Sequence, residues 1–254
     1  MKMYTSFLFS SFLFLCPSYS TSAEKKQVPL SSAEFNRQLG ELYDAVNKNA
    51  SKKTIKKKIK ALTDLTHNED FDPNSSFLFD GPCIFYVLLH IAHEPMQKIA
   101  QTLISHKKFN PNIYNNINGE TVLTYLILYG ADITNNEVVL NDLIDELFQC
   151  STLDVNQNNQ DGMSPLYLAL KEKNFTAGYM ILTNPNLVIS KKDYKKVKDD
   201  LSNLKKQLGK TTSEKGFDPM LEEKEFCNAI IEIYTTQKKK AKPKKKKSLT
   251  KSKK

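Results

Sequence analysis

His90 and His93 stand three residues apart with Glu94 directly after them, a grouping that invites a metal-hydrolase reading. A zinc hydrolase of the H-E-x-x-H kind needs two histidines four apart with the glutamate between them, so that both imidazoles share one helix face. Here the spacing is three and the glutamate falls outside the pair. Pro95 also keeps a helix from running through the segment. These residues read as the lining of a turn between two helices, and no metal or other cofactor is expected. Cys83, Cys150 and Cys227 are widely spread and odd in number once Cys16 is assigned to the N-terminal segment. They read as small buried hydrophobes rather than as a disulfide framework. No G-x-S-x-G elbow, P-loop or dinucleotide fingerprint occurs. Nothing selects one pair of carboxylates for acid–base work. The expectation is a non-enzyme with no small-molecule substrate.

Charge is concentrated at one end. The chain carries a net charge of +9, yet residues 238–254 hold eleven lysines and no acid, which leaves −2 for the rest. Any polyanion partner therefore concerns the segment 237–254, QKKKAKPKKKKSLTKSKK, which lacks the apolar surface to fold and is expected to be disordered. It reads either as a solvated tail or as an electrostatic contact to an anionic surface centred on Lys244, Lys245, Lys246 and Lys247. It has no arginine fork and no aromatic ring, so sequence-specific reading of nucleic acid is not expected. Its lysine run also resembles a nuclear-import signal.

The N-terminus, residues 1–23, has the layout of a cleaved signal peptide: Lys2, an apolar run from Phe7 to Cys16, then Thr21-Ser22-Ala23. The run is ten residues long, short of the roughly 20 needed to cross a bilayer. Export to a periplasm or to the exterior is the corresponding expectation.

Stepping along the chain, three stretches repeat. Asp72-Pro73-Asn74 precedes Asp80-Gly81, Asn110-Pro111-Asn112 precedes Asn118-Gly119, and Asp154-Val155-Asn156 precedes Asp161-Gly162. The three glycines are 38 and 43 residues apart. After each comes an apolar helical run, and repeats of this length signify stacked helix pairs. Gly162 permits a positive φ, Ser164 can cap a helix, and Pro165 suits its first position. Short polar side chains such as Asp154, Asn156 and Asp161 are expected to form the turns.

The third unit, DVNQNNQDGMSPLYLALKEKNFTAGYMIL, resembles an ankyrin repeat. Asp161, Gly162, Pro165, Leu166 and Ala169 match that family's pattern, with Ser164 in place of threonine and Tyr167 in place of histidine. The second unit keeps Gly119, Thr121 and Leu123 but has Val122 and Leu126 where the family has proline and alanine. It also has extra residues around Tyr129 to Asn136, before a second helix at Glu137 to Phe148. The first has Pro82 but no capping threonine. The resemblance implies an all-α solenoid of about three ankyrin repeats over 71–189, with another helix-pair solenoid as the alternative.

Flanking segments read as caps. Over 31–70, Ser31 with Glu34 forms a capping box, followed by two helices with stripes from Phe35 to Val46 and from Ile55 to Leu65. Over 190–236, one stripe runs from Tyr194 to Leu208, and a second helix after Asp218-Pro219 presents Phe226, Cys227, Ile230, Ile231 and Tyr234. The stretch from Gly209 to Phe217 between them reads as a hinge.

In ankyrin proteins, partners lie against the turn fingers and first helices. By resemblance the binding residues here are Phe77, Phe79, Tyr114, Asn116, Gln157 and Asn158. The aromatic ones either pack on a neighbouring finger or remain for a partner. The function implied is protein binding by an exported monomer, with the alternative of a structural envelope protein held to an anionic surface by its lysine tail.

Overall fold

A computed structural model describes residues 30–77, 81–134, 137–208 and 219–241. The segment 1–23 read as a signal peptide, Phe79, the stretch read as a hinge and the tail lysines 244–247 lie outside these residues. The described chain is all-α apart from one short hairpin. Its helices are α1 (Leu30–Asn47), α2 (Lys52–Thr66), α3 (Cys83–Leu89), α4 (Glu94–Ile104), α5 (Val122–Thr134), α6 (Glu137–Phe148), α7 (Pro165–Lys171), α8 (Phe175–Thr183), α9 (Lys191–Leu208) and α10 (Pro219–Ala241). Strands β1 (Ser76–Phe77) and β2 (Gly81–Pro82) pair antiparallel, Ser76 opposite Pro82 and Phe77 opposite Gly81.

Consecutive helices pack as five pairs. The second helices α2, α4, α6 and α8 touch in succession, as do the first helices α3, α5 and α7, while α10 leans on α7 and α8. One apolar core runs through every pair, from Phe35 and Leu39 in α1 to Phe226 and Ile230 in α10. Each Leu or Ile buried in it contributes about 2 kcal/mol.

Local hydrogen bonds start the helices. Ser51 Oγ accepts the Thr54 N–H at 3.2 Å, Ser164 Oγ that of Tyr167 at 3.2 Å, and Ser190 Oγ that of Asp193 at 3.0 Å. Thr121 and Thr124 cap reciprocally: the Thr121 N–H donates to Thr124 Oγ1 at 2.8 Å, and the Thr124 N–H to Thr121 Oγ1 at 3.2 Å. These satisfy amides that have no partner inside the helix. The first repeat, with Pro82 at the cap position, has no such side chain, and its Cys83 N–H donates to the Ser75 carbonyl at 3.0 Å.

Two expectations change. The Ser31–Glu34 capping box is not made: Ser31 lies inside α1 with its buried Oγ unpartnered, and Glu34 bonds Arg37 and Gln38. In the second repeat α5 runs for 13 residues, to Thr134, against 7 in α3 and α7. The last helix runs past residue 236 to Ala241, because Gln237 is held by the body. Its Nε2 donates to the Leu187 carbonyl at 2.7 Å and its Oε1 accepts the Ile189 N–H at 3.2 Å.

Candidate protein-binding face

The loops between pairs are built by the tripeptides Asp72–Asn74, Asn110–Asn112 and Asp154–Asn156. The first residue of each closes a local turn. Asp72 Oδ1 accepts the Asn74 N–H at 2.9 Å, Asn110 Oδ1 that of Asn112 at 3.0 Å, and Asp154 Oδ1 that of Asn156 at 2.9 Å. The third residue reaches the next loop. Asn74 accepts the Asn110 N–H at 2.7 Å and donates to the Lys108 carbonyl at 2.8 Å. Asn112 does the same to Asp154 and Thr152 at 2.8 and 2.7 Å, and Asn156 to Val188 and Asn186 at 2.7 and 2.9 Å. Upstream, Ser32 Oγ accepts the Asp72 N–H at 2.9 Å. Side-chain amides thus tie the loops together from the first pair to the last.

Beyond these ties the second and third fingers interlock. Gly119 and Gly162 turn at φ 64° and 68°, where a side chain would be strained. The Tyr114 hydroxyl donates to the Asn158 carbonyl at 3.2 Å, and Gln157 Nε2 to the Asn112 carbonyl at 3.0 Å. The Gln160 N–H meets the Gly119 carbonyl at 3.1 Å. Buried Asn159 donates to Glu120 Oε1 at 3.0 Å. Tyr114, Gln157 and Asn158 therefore converge on one surface, with Asn116 exposed at the tip of the second finger.

Phe77 does not join them. It is 8% exposed and its ring lies 4.3 Å from that of Tyr86, so it packs as core and is withdrawn from the contact surface. The hairpin register turns it inward, against α3. Ile117, between Asn116 and Asn118, is 77% exposed, and as a lone aliphatic residue among asparagines it carries no periodic signal in the sequence.

The first helices add an aromatic band. Tyr43 of α1 and Tyr86 of α3 flank His90 at 4.0 and 4.8 Å, and Phe85, Tyr125 and Tyr129 follow at successive centroid distances of 5.5 and 5.0 Å. One helical turn beyond the Phe85–Tyr125 contact, Leu89 is 51% and Tyr129 38% exposed, so the α3–α5 junction ends in accessible apolar surface.

Electrostatics give this surface little acid–base chemistry. Burial holds the phenols of Tyr86 and Tyr125 up at about 12, and the Cys83 thiol at about 12. The Cys227 thiol is raised to about 12 by burial, then by Glu223 and Asp200. His90 is lowered by burial and by His93, and it ends α3 while His93 begins α4, as the sequence spacing implied. Among the described residues no three His, Cys, Asp or Glu side chains gather as a metal site. A cleft of about 470 Å³ lies where α2 and α4 end, between His67, Glu69, Ser105 and His106. Its groups are engaged in closing those ends. His106 Nε2 donates to the Thr66 carbonyl at 3.1 Å, and Lys108 Nζ donates to the Glu69 carbonyl.

Compared with known protein families, with characterised proteins and with solved structures, the chain matches none.

Proposed function

We propose that the chain is an ankyrin-type solenoid of about three repeats between helical caps, exported and non-enzymatic, which as a monomer holds another protein. The observation that carries this reading is the succession of amide ties through Asn74, Asn112 and Asn156. They set the fingers at fixed spacing before any partner arrives, and a preformed surface avoids much of the ordering cost of association. On that frame Tyr114 and Ile117 offer apolar groups, flanked by Asn116 and the Asn158 backbone, which provide polar partners around an apolar centre.

The test uses the full chain, immobilised, with the retained proteins identified and their affinity measured. Tyr114→Ala with Ile117→Asp should reduce that affinity at least tenfold, about 1.4 kcal/mol or more, while costing the fold only the roughly 1 kcal/mol of the Tyr114–Asn158 bond. Unchanged capture would remove the finger surface as the contact, and a loss of stability as large as the roughly 3 kcal/mol of a core ring would mark these side chains as structural. Export is tested separately by sequencing the N-terminus of protein recovered outside the cytoplasm, where the start should follow Ala23.

A further inference from the structure

The first pair carries a second surface of different chemistry. Along α2, Lys52, Lys53, Lys56, Lys57 and Lys60 are all exposed. At 100° per residue they fill an arc of roughly 140°. The arc lies opposite Ile55, Ile59, Leu62 and Leu65, which face the core. Lys60 is paired with Asp64 at 2.6 Å, and Lys58, outside the arc, reaches Glu41 at 2.8 Å. Lys52, Lys53, Lys56 and Lys57 make no ion pair among the described residues. Across from them is Glu94 of α4, held down first by its own bond to Lys98 at 2.6 Å and then by the charges of Lys98, Lys52 and Lys56. The row therefore borders the first turn of α4. Like charges at this spacing repel, so the face costs stability unless a counter-charge lies outside the fold.

We infer that the lysine face of α2 adsorbs the protein onto an anionic lipid surface. Compact ammonium groups on flexible stems suit headgroup phosphates and carboxylates that present no fixed geometry. A nucleic-acid strand is better served by a groove with stacking rings or by guanidinium forks, and this face has neither. The apolar side of α2 is committed to the core, so the contact is electrostatic and does not insert. The α2 face lies on a second helix, whereas Tyr114 and Ile117 sit on loops between pairs, so the two surfaces act independently.

The experiment measures partition of the full chain onto phosphatidylcholine vesicles with and without phosphatidylserine, at low salt. All eleven lysines of residues 238–254 are changed to Gln throughout, so that this segment does not mask α2. Adding Lys52→Gln, Lys53→Gln, Lys56→Gln and Lys57→Gln should lower partition onto the anionic vesicles at least tenfold. Each lysine near such a surface is worth a factor of about five. Glutamine keeps the helix propensity of lysine, so circular dichroism should be unchanged. Partition within twofold of the parent overturns the proposal, as does equal binding to neutral vesicles. Tighter binding to a DNA duplex than to the anionic vesicles overturns it in favour of nucleic acid.

Discussion

The side chain of Asn112 spans the gap to the loop of Asp154, accepting its N–H at 2.8 Å while donating to the carbonyl two residues earlier at 2.7 Å. One carboxamide thus serves both backbone groups of the neighbouring loop, its acceptor oxygen and donor nitrogen held side by side in one plane. Replacing Asn112 by Ala should cost about 2 kcal/mol, and Asp should fare no better, because its carboxylate faces the Thr152 carbonyl with no proton to give. Urea midpoints of the two variants check this. If Asp matched the parent, the donor half of the bridge would be immaterial.

Phe77 and Tyr114 should separate cleanly. Truncating Phe77 to Ala opens a hole beside Tyr86 and should destabilise by about 3 kcal/mol. Tyr114, 42% exposed, should cost about 1 kcal/mol on truncation, the value of its bond to Asn158 plus a little packing. Thermal melts of the two variants give the comparison, and equal losses would place both rings in the core.

The C-terminal pair is seated by a missing side chain. A Cβ on Gly178 would lie 2.2 Å from Phe226 Cζ, so Gly178→Ala should displace the ring and cost about 1 to 3 kcal/mol. Phe226→Leu in the same chain should recover part of that loss. Strict additivity of the two changes in a double-mutant cycle would show that the contact does not seat α10.

Acid should weaken the fold just below neutrality. His90 and His106 titrate below their ordinary 6.5, chiefly because burial disfavours the charged ring. The unfolded chain, with its histidines near 6.5, takes up protons first. The stability these rings confer is therefore complete above that pH and is lost as pH falls below it. Urea midpoints measured from neutrality down to about pH 5 should decline, and His90→Gln with His106→Gln should flatten the decline. Asp200 is raised by burial, then by Glu223 and Asp199, so it acts with the opposite sign at lower pH. A slope unchanged in the double variant would assign the effect elsewhere.

What the amino-acid order settled alone was everything whose partner lies within a few residues. The glycine turn with Ser164 and Pro165 start α7 as their types require, the first turn of α4 begins beside Pro95, and α6 spans Glu137–Phe148 as its stripe implied. The Asp of each Asp-x-Asn bonds its own backbone for the same reason. The tertiary structure decided which neighbour each exposed-looking group would meet. Asn74 finds its partners 34 and 36 residues on, and Asn112 finds them 40 and 42 residues on. An aromatic ring on a turn has the same local sequence whether it faces water or α3, so Phe77 became core only when the hairpin closed over Tyr86. Local hydrogen bonding is written in adjacent residues, whereas burial depends on surfaces that meet only after the pairs have stacked.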